Sequence, residues 1–467
     1  MTTTLLRPAQ WAELEFAPAQ LGDQRRTQRL VKIATNLAQS PMGTLPQAFP
    51  VWSELKAAYR FFSQPKVTFE EIQRPHWQKT RAACQPPGQY LLIEDTSELD
   101  YTDLPMTEEL GCIGNGRGRG LLLHTTLAMR IERWDLEDRP RVLALGLLRQ
   151  ECWSRWGCPK RKGRETRREL MSRSRESERW AAALEEGGPP EGSTWIYLAD
   201  RESDFYEPIE RCQRWGADFV IRGFHNRVLS DGNGHLKVEI AKAPVRGRMS
   251  LEVRARAGRA ARTAQLEVRT MAASLNGPRR LEGKRPDFCL NVVEVREVNP
   301  PPGTEPLHWV LLTSLPCDTW TQVRRVIALY TLRWCVEEYH KALKSGAGVE
   351  DSQMERAYRI ESLVAVLGIV AVRLFNTKWL ARTLPDEPVN AKVFGPELLT
   401  LLAAKFGNPK GGWSHRTALV SVARVGGFLA RRSDGMPGWQ TIWRGWNRLM
   451  WMCHGLETLK NEQKRCG

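Results

Sequence analysis

The sequence predicts an α/β fold flanked by helical regions at both ends. Apolar runs of strand length recur from about residue 86, bounded by Gly, Pro, Asn or Asp, and a charged, partly amphipathic stretch separates the third from the fourth. Stretches with helical spacing and basic side chains occupy residues 1–68 and 373–467. Strand, strand, strand, helix, strand, then further helices is an α/β order.

At the N-terminal end, LGDQRRTQRLVKIATNLAQSP places Asp23 as an N-cap ahead of Arg25, Arg26, Arg29 and Lys32. AAYRFFSQPKVTFEEI follows, with Arg60 among Tyr59, Phe61 and Phe62. Basic side chains interleaved with aromatics suit a nucleic-acid surface, and they equally suit a solvated basic face over a small core. QYLLIEDTSELDY is then a short apolar strand ending at Glu94–Asp95; Gly120–Glu132 and Arg141–Glu151 are two more strands. GNGRGRG (Gly114–Gly120), ahead of the second of these strands, is expected to be a flexible basic loop and not a phosphate loop, because it lacks the Lys-Ser/Thr and does not join a strand to a helix in the right order. The charged segment CPKRKGRETRRELMSRSRESERWAAALEE is expected to begin as an exposed loop or frayed helix and to end as an amphipathic helix. STWIYLADRESDFYE is the next apolar strand, ending in Asp200.

Residues from about 216 to 316 hold FVIRGF, MSLEVRARA, AQLEVRTMAAS, CLNVVEVREV and HWVLLTSL, which predict a β-rich insertion. Ser362–Val372 is the most apolar stretch and is expected to be a buried helix. No run of about 18 uncharged apolar residues exists, so no segment is expected to span a bilayer. The N-terminus lacks a signal-peptide pattern. Ten scattered cysteines form no CxxC pair and no Cys/His cluster; reduced thiols in a cytoplasm are expected, and a zinc module is not. The net charge of +16 over 467 residues favours a polyanionic partner, nucleic acid first and anionic membrane second.

One stretch, YTLRWCVEEYHKALKSGAGVE, predicts a helix of two faces. Advancing about 100° per residue from Tyr330 brings Arg333, Glu337, Lys341 and Lys344 into an arc of roughly 80°. Leu329, Leu332, Val336, Tyr339 and Leu343 fall on the opposite side. Asp95 and Asp200 each close an apolar strand, where open α/β sheets gather their sites, and Glu337 lies on the polar helix face. Three unpaired carboxylates raise one another's pKa, and divalent cations relieve that cost: Mg²⁺ takes hard oxygen ligands, and two such ions can clamp both oxygens of an in-line phosphoryl displacement. Basic neighbours on the helix would hold substrate phosphates. Taken singly, either Asp could be a turn or cap residue, and Glu337 could simply pair with Arg333 or Lys341.

The same residues resemble a known family. YTLRWCVEEYHKALKSGAG matches the Y-x-x-R-x-x-x-E-x-x-x-x-x-x-K signature of DDE transposases of the bacterial insertion-sequence-four group, most closely the transposon-five type. LLIEDTSELDY and ADRESDFYE are similar to its two catalytic Asp segments, and LGDQRRTQRL, AAYRF, NPPPGTEPLHWVLLTS and ARVGGFLARRSDGMPGWQTIWRGWNRL extend the likeness from about residue 20 to about 448. The resemblance implies a ribonuclease-H-like catalytic core over 69–372 with the β-rich insertion inside it. It also implies an N-terminal DNA-end-binding region over 1–68 and a C-terminal dimerisation region over 373–467. Asp95, Asp200 and Glu337 would hold two Mg²⁺ ions, with Mn²⁺ as a substitute. Tyr330, Arg333 and Lys344, with Lys341 close by, would contact phosphates near the element's end. Trp309 would receive a flipped base, although by itself it reads as a core Trp on an apolar strand. Arg25, Arg26, Arg29 and Arg60 match basic positions of the end-binding region. The implied partners are double-stranded DNA, both element ends and target, and a second copy of the chain; no membrane is implied, and the expected location is the cytoplasm, on the nucleoid when bound to DNA. Leu332, Cys335, the basic 159–175 segment and residues 384–412 depart from the family pattern. Two other readings remain at this point: a DNA-binding inhibitor or regulator without catalysis, and a nuclease of the same core that cuts without joining.

Overall fold

The computed structural model describes residues 8–104, 109–114, 116–155, 176–230, 232, 234–253, 261–280, 283–389, 396–431 and 433–466. Its N-terminal region is helical: α1 (Pro8–Phe16), α2 (Gln24–Gln39), α3 (Leu45–Ala48) and α4 (Trp52–Phe62). Asp23 caps α2 as expected, accepting from the Arg25 amide at 2.9 Å. Phe61 and Phe62 are buried, so these two aromatics serve the core of the region and not its surface. Arg25 and Arg60 are exposed, while Arg29 pairs with Glu54 and Arg26 donates to the Leu21 carbonyl at 2.9 Å. Helix α5 (Phe69–Ala83) then leads into the sheet, capped by Thr68.

The strands are β1 (Gly88–Asp100), β2 (Gly111–Ile113), β3 (Gly118–Trp134), β4 (Pro140–Trp153), β5 (Ser193–Ala199), β6 (Asp218–Arg222), β7 (Val245–Val253), β8 (Arg262–Leu275), β9 (Arg279–Arg280), β10 (Gly283–Lys284), β11 (Phe288–Val298) and β12 (His308–Thr313). All except the β9–β10 pair join one sheet in the order β2-β3-β1-β5-β6-β12-β11-β8-β7, with β4 also on β3. Among the described residues, only β1, β5 and β6 run parallel to one another; the other pairings are antiparallel. The β-rich stretch therefore continues the same sheet through β6 and β12, with helix α7 (Leu236–Lys242) beside it.

Alternation along β1 sends Leu91 and Ile93 to one face and Tyr90 and Leu92 to the other, each into its own apolar cluster. The first face packs the N-terminal helices, α8 (Trp320–Thr331), α9 (Trp334–Lys341), α10 (Ala357–Thr383) and, further out, α11 (Pro396–Phe406), α12 (His415–Val425) and α13 (Trp439–Cys466). The second face packs α6 (Tyr206–Trp215), α7 and the 176–186 segment. Helix α10 contains the apolar stretch expected to be buried, and is. By length and composition it could cross a membrane, yet 94% of its apolar window is enclosed by the rest of the protein.

Five sequence expectations are corrected. Strand β1 does not end at Asp95: its antiparallel pairing with β3 runs on to Asp100, and only the parallel pairing with β5 stops, at Ile93↔Leu198. The end of the charged segment is two short 3₁₀ turns, Glu176–Arg179 and Ala182–Glu186, not an amphipathic helix; its first half lies outside the described residues. The helix expected from Tyr330 is interrupted. The Arg333 amide bonds to the Tyr330 carbonyl and the Cys335 amide to that of Leu332, tightening the chain between α8 and α9, and residues Ala342–Gly346 widen into a π turn. Cys112 is disulfide-bonded, whereas seven other cysteines are free thiols. Gly114 and Gly116, both at positive φ, turn the chain between β2 and β3, but Gly118–Gly120, expected in the same loop, already belong to β3.

Candidate active site

The parallel strands position the acids. Asp95 sits two residues past the end of the β1–β5 pairing and Asp200 directly follows β5, so both lie at the carboxyl edge of the parallel strands. Asp200 also does the capping work expected of a strand-terminal Asp, accepting from the Glu202 amide at 2.8 Å. One oxygen of Asp95 likewise accepts from its neighbour, the Thr96 amide, at 2.9 Å. Glu337 comes from the other side, on α9.

Burial pushes the Asp95 carboxyl up to about 7; Arg333 opposes the rise, and the negative charges of Asp200 and Glu337 add to it. Each of the other two acids is thus close enough for its charge to be felt at Asp95. Arg333 bridges the group: its guanidinium hydrogen-bonds Glu337 and lies 3.6 Å from an Asp95 oxygen. Burial works against its charge, but Tyr330, Glu337 and Asp95 overcome that and raise its pKa. Tyr330 is buried beside it, and its phenol pKa is raised by burial with a further push from Asp200. The Trp309 ring meets the Tyr330 ring edge-on, centroids 5.1 Å apart. Trp309 is half-buried, at the wall of a cleft of about 1310 Å³ that Arg222, Tyr330, Arg333, Glu337 and Lys341 also line. The hairpin between β3 and β4 forms another wall, pinned to α8 by Asp138 pairing with Arg324 and with Arg325 at 3.2 Å.

Not every residue of the polar helix face converges. Lys341 is exposed and pairs with Glu338 at 3.1 Å. Lys344 reaches the far end of β1, donating to the Glu98 carbonyl and pairing with Glu350 at 3.2 Å. The N-terminal arginines belong to the separate helical region. Sequence reasoning missed Arg222, which ends β6, donates to the His308 carbonyl at 3.1 Å and adds positive charge near Tyr330. FVIRGF shows a strand-end cation, but only the pairing of β6 with β5 brings it beside the strand of Asp200. Also missed was the frame behind Asp95. Glu94 is fully buried on the opposite face, where it accepts from Thr126 and from the Ala181 amide, each at 2.7 Å. His124 links Glu94 to Thr96, at 3.3 and 2.9 Å. Both neighbours of Asp95 are thereby fixed by one histidine on β3.

The donor set suits a hard divalent cation in kind, being oxygen alone. Among the described residues, however, no three His, Cys, Asp or Glu side chains are gathered tightly enough to hold an ion. Arg333 instead supplies counter-charge to both Asp95 and Glu337 there.

Residues 8–67 match the family model described as Transposase DNA-binding, and residues 176–372 match the one described as Transposase DDE domain. The second span contains Asp200, Trp309, Tyr330, Arg333 and Glu337; Asp95 precedes it. A DDE domain implies use of a divalent metal. The first span coincides with the helical region that carries Arg25, Arg26, Arg29 and Arg60. The chain thus matches a transposase DNA-binding model followed by a transposase DDE-domain model.

Proposed function

We propose that this protein is a cut-and-paste transposase of the insertion-sequence-four group, of transposon-five type, with Asp95, Asp200 and Glu337 as its catalytic triad. The observation that carries the proposal is geometric: Asp95 and Asp200 stand at the carboxyl edge of the parallel strands, and Arg333 links Asp95 to Glu337 on the facing helix. The three carboxylates would hold two Mg²⁺ ions, or Mn²⁺ in their place, supplying charge neutralisation at the attacking and leaving oxygens of in-line phosphoryl transfer. One site would then run four transfers in turn: nicking by water at the element's end, attack of the freed 3′-OH on the opposite strand to give a hairpin, hairpin opening by water, and attack of the 3′-OH on target DNA.

The chain's own residues position the DNA. Arg333 exchanges the Glu337 carboxylate for a DNA phosphate, leaving the acids to the cations. Tyr330 and Arg222 line the same wall and hold adjacent phosphate oxygens, Lys341 flanks them, and Lys344 contacts a phosphate further along, near Glu98. Trp309, at the cleft wall, stacks a base turned out of the duplex, which repays the loss of its native stacking. Arg25, Arg26, Arg29 and Arg60 dock the element's end. We assign residues 1–68 to end binding, 69–372 to catalysis with an insertion at about 216–316, and 373–467 to dimerisation in a synaptic complex. The work is placed on DNA in the cytoplasm.

Asp200→Asn is expected to bind end DNA nearly as well as wild type in a gel-shift assay and to lose Mg²⁺-dependent nicking. Nicking at the wild-type rate would remove Asp200 from the triad. On the unaltered protein, binding with no cleavage would favour the inhibitor or regulator. Cleavage with neither hairpin nor joined product would favour the cutting nuclease.

A further inference from the structure

Immediately after Arg222 the chain makes a feature that the proposed catalytic steps do not use. Phe224 is 55% exposed, large and apolar, at the same sheet edge as Asp200. Its backbone is held rigidly. The Asp204 carboxylate, itself buried, accepts from the Phe224 amide at 2.6 Å and the His225 amide at 2.7 Å, and pairs with Arg227. Lys237 donates to the Phe224 carbonyl at 2.7 Å, and the Gly223 amide bonds to the Val310 carbonyl at 2.7 Å. Two cations attend the ring: the Arg201 guanidinium at 5.9 Å and the Lys237 ammonium at 5.8 Å from its centroid. Neither is close enough to cover it. Arg201 directly follows Asp200 in sequence and is exposed.

An apolar ring kept in water on a fixed backbone is costly unless something covers it, and the flanking cations specify what. An aliphatic partner would gain nothing from them. A polyanion with flat π-faces gains from both ring and charge. Because the loop is already ordered, the ring is offered without the entropic cost of ordering a loop on binding. We propose that Phe224, with Arg201 and Lys237, is a stacking platform for an unpaired nucleobase of the DNA strand passing the Asp200 edge, its phosphates held by the two cations. The platform rests on the reading that this sheet edge handles DNA, and it is distinct from the Trp309 wall.

The test uses the full chain and a single-stranded oligothymidylate of about 16 nucleotides carrying 5-iodouracil. Phe224→Ala is expected to weaken binding about tenfold and to abolish a photocrosslink that maps to position 224. Phe224→Trp is expected to restore both. Arg201→Ala and Lys237→Ala are expected to reduce the salt dependence while leaving the crosslink. Leu136→Ala, which removes a fully exposed side chain on the β3–β4 hairpin, is expected to change nothing. Unaltered affinity and crosslinking in Phe224→Ala would overturn the platform. Iodouracil placed in the strand flanking an element end, or in a target duplex, then assigns the strand: a crosslink in the first means donor DNA, in the second target DNA, and in neither overturns the proposal. Failure of the functional reading is separable. A protein that crosslinks at Phe224 but never nicks end DNA keeps its platform and loses the transposase reading, while one that nicks normally with an inert Phe224 does the reverse.

Discussion

Arg333 is the side chain on which the free protein's chemistry turns. It pairs with Asp95 and Glu337 from one position, so on the proposed reading a divalent cation would compete with a guanidinium for the same oxygens, and with a proton on Asp95. Metal ligation requires the ionised carboxylate. The Asp95 carboxyl is raised to about 7, so its charged form is scarce at pH 6 and dominant at pH 8. Mn²⁺ affinity of the DNA-free protein, read by electron paramagnetic resonance or calorimetry, is therefore expected to rise about tenfold between those pH values. Arg333→Gln is expected to tighten Mn²⁺ binding without DNA, because the competitor is gone, and to weaken DNA binding. Tighter metal binding by wild type than by Arg333→Gln would contradict the competition. The sign for stability is opposite to that of an ion-paired acid. A carboxyl with a raised folded pKa binds more protons folded than unfolded, so this group's contribution falls as pH rises from about 4 to about 7.

At the scale of elements, what could be foreseen follows from what each signal measures. Apolar alternation reports burial, so β3, β4, β5 and helix α10 were legible, as was Asp23 at the start of α2. The end of β1 was not. Its apolar run stops where β5 ceases to pair with it, but β3 still supplies hydrogen-bond partners to Asp100, and a ladder on one side needs no apolar residues. The break between α8 and α9 was invisible for a related reason: Leu332 and Arg333 keep helical dihedrals, and only the hydrogen-bond spacing changes. Periodicity still placed Tyr330, Arg333 and Glu337 together because three residues of tight turn barely alter the helical phase. Lys341 stays at the cleft wall, while Lys344, within the π turn, is carried away toward Glu98. Arg222 and the Glu94–His124–Thr96 frame depend on sheet order, which no local pattern encodes. Backbone proximity was equally hidden at the α12–α13 crossing. A Cβ on Gly445 would lie 1.8 Å from the Val422 carbonyl oxygen, and one on Gly426 would lie 1.9 Å from that of Thr441. Gly445→Ala is expected to force these helices apart and to destabilise the protein by about 1–3 kcal/mol, measured by urea denaturation. Unchanged stability would mean the crossing is looser than it stands.

Across the whole molecule, charge is divided between binding and catalysis. The surplus of +16 cannot reside in the active site, where Arg333 is offset by acids; much of it is available to nucleic acid elsewhere. The N-terminal helical region is fixed to the catalytic core through a buried contact. Glu15 of α1 is pushed up by burial but held down at about 2 by His76 and Lys79 of α5, so DNA docked on α2 and α4, as proposed, would be positioned relative to the sheet edge. Affinity built on phosphate contacts releases counterions, and a protein making six to ten of them gives a log–log slope against salt of about −5 to −9. End-DNA binding is expected to fall in that range. The individual arginines should differ according to their partners. Arg25 and Arg60 are exposed, so replacing either with Ala should reduce the slope by about 1. Arg29 is already paired with Glu54, which also takes Lys32 at 2.9 Å, so its loss also frees Glu54 to bind Lys32 more tightly. Arg29→Ala should cost affinity through that rearrangement, and Glu54→Gln should strengthen binding by releasing both cations to the phosphates. A salt-independent affinity, or a Glu54→Gln protein that binds more weakly than wild type, would place the DNA on some other face of the molecule.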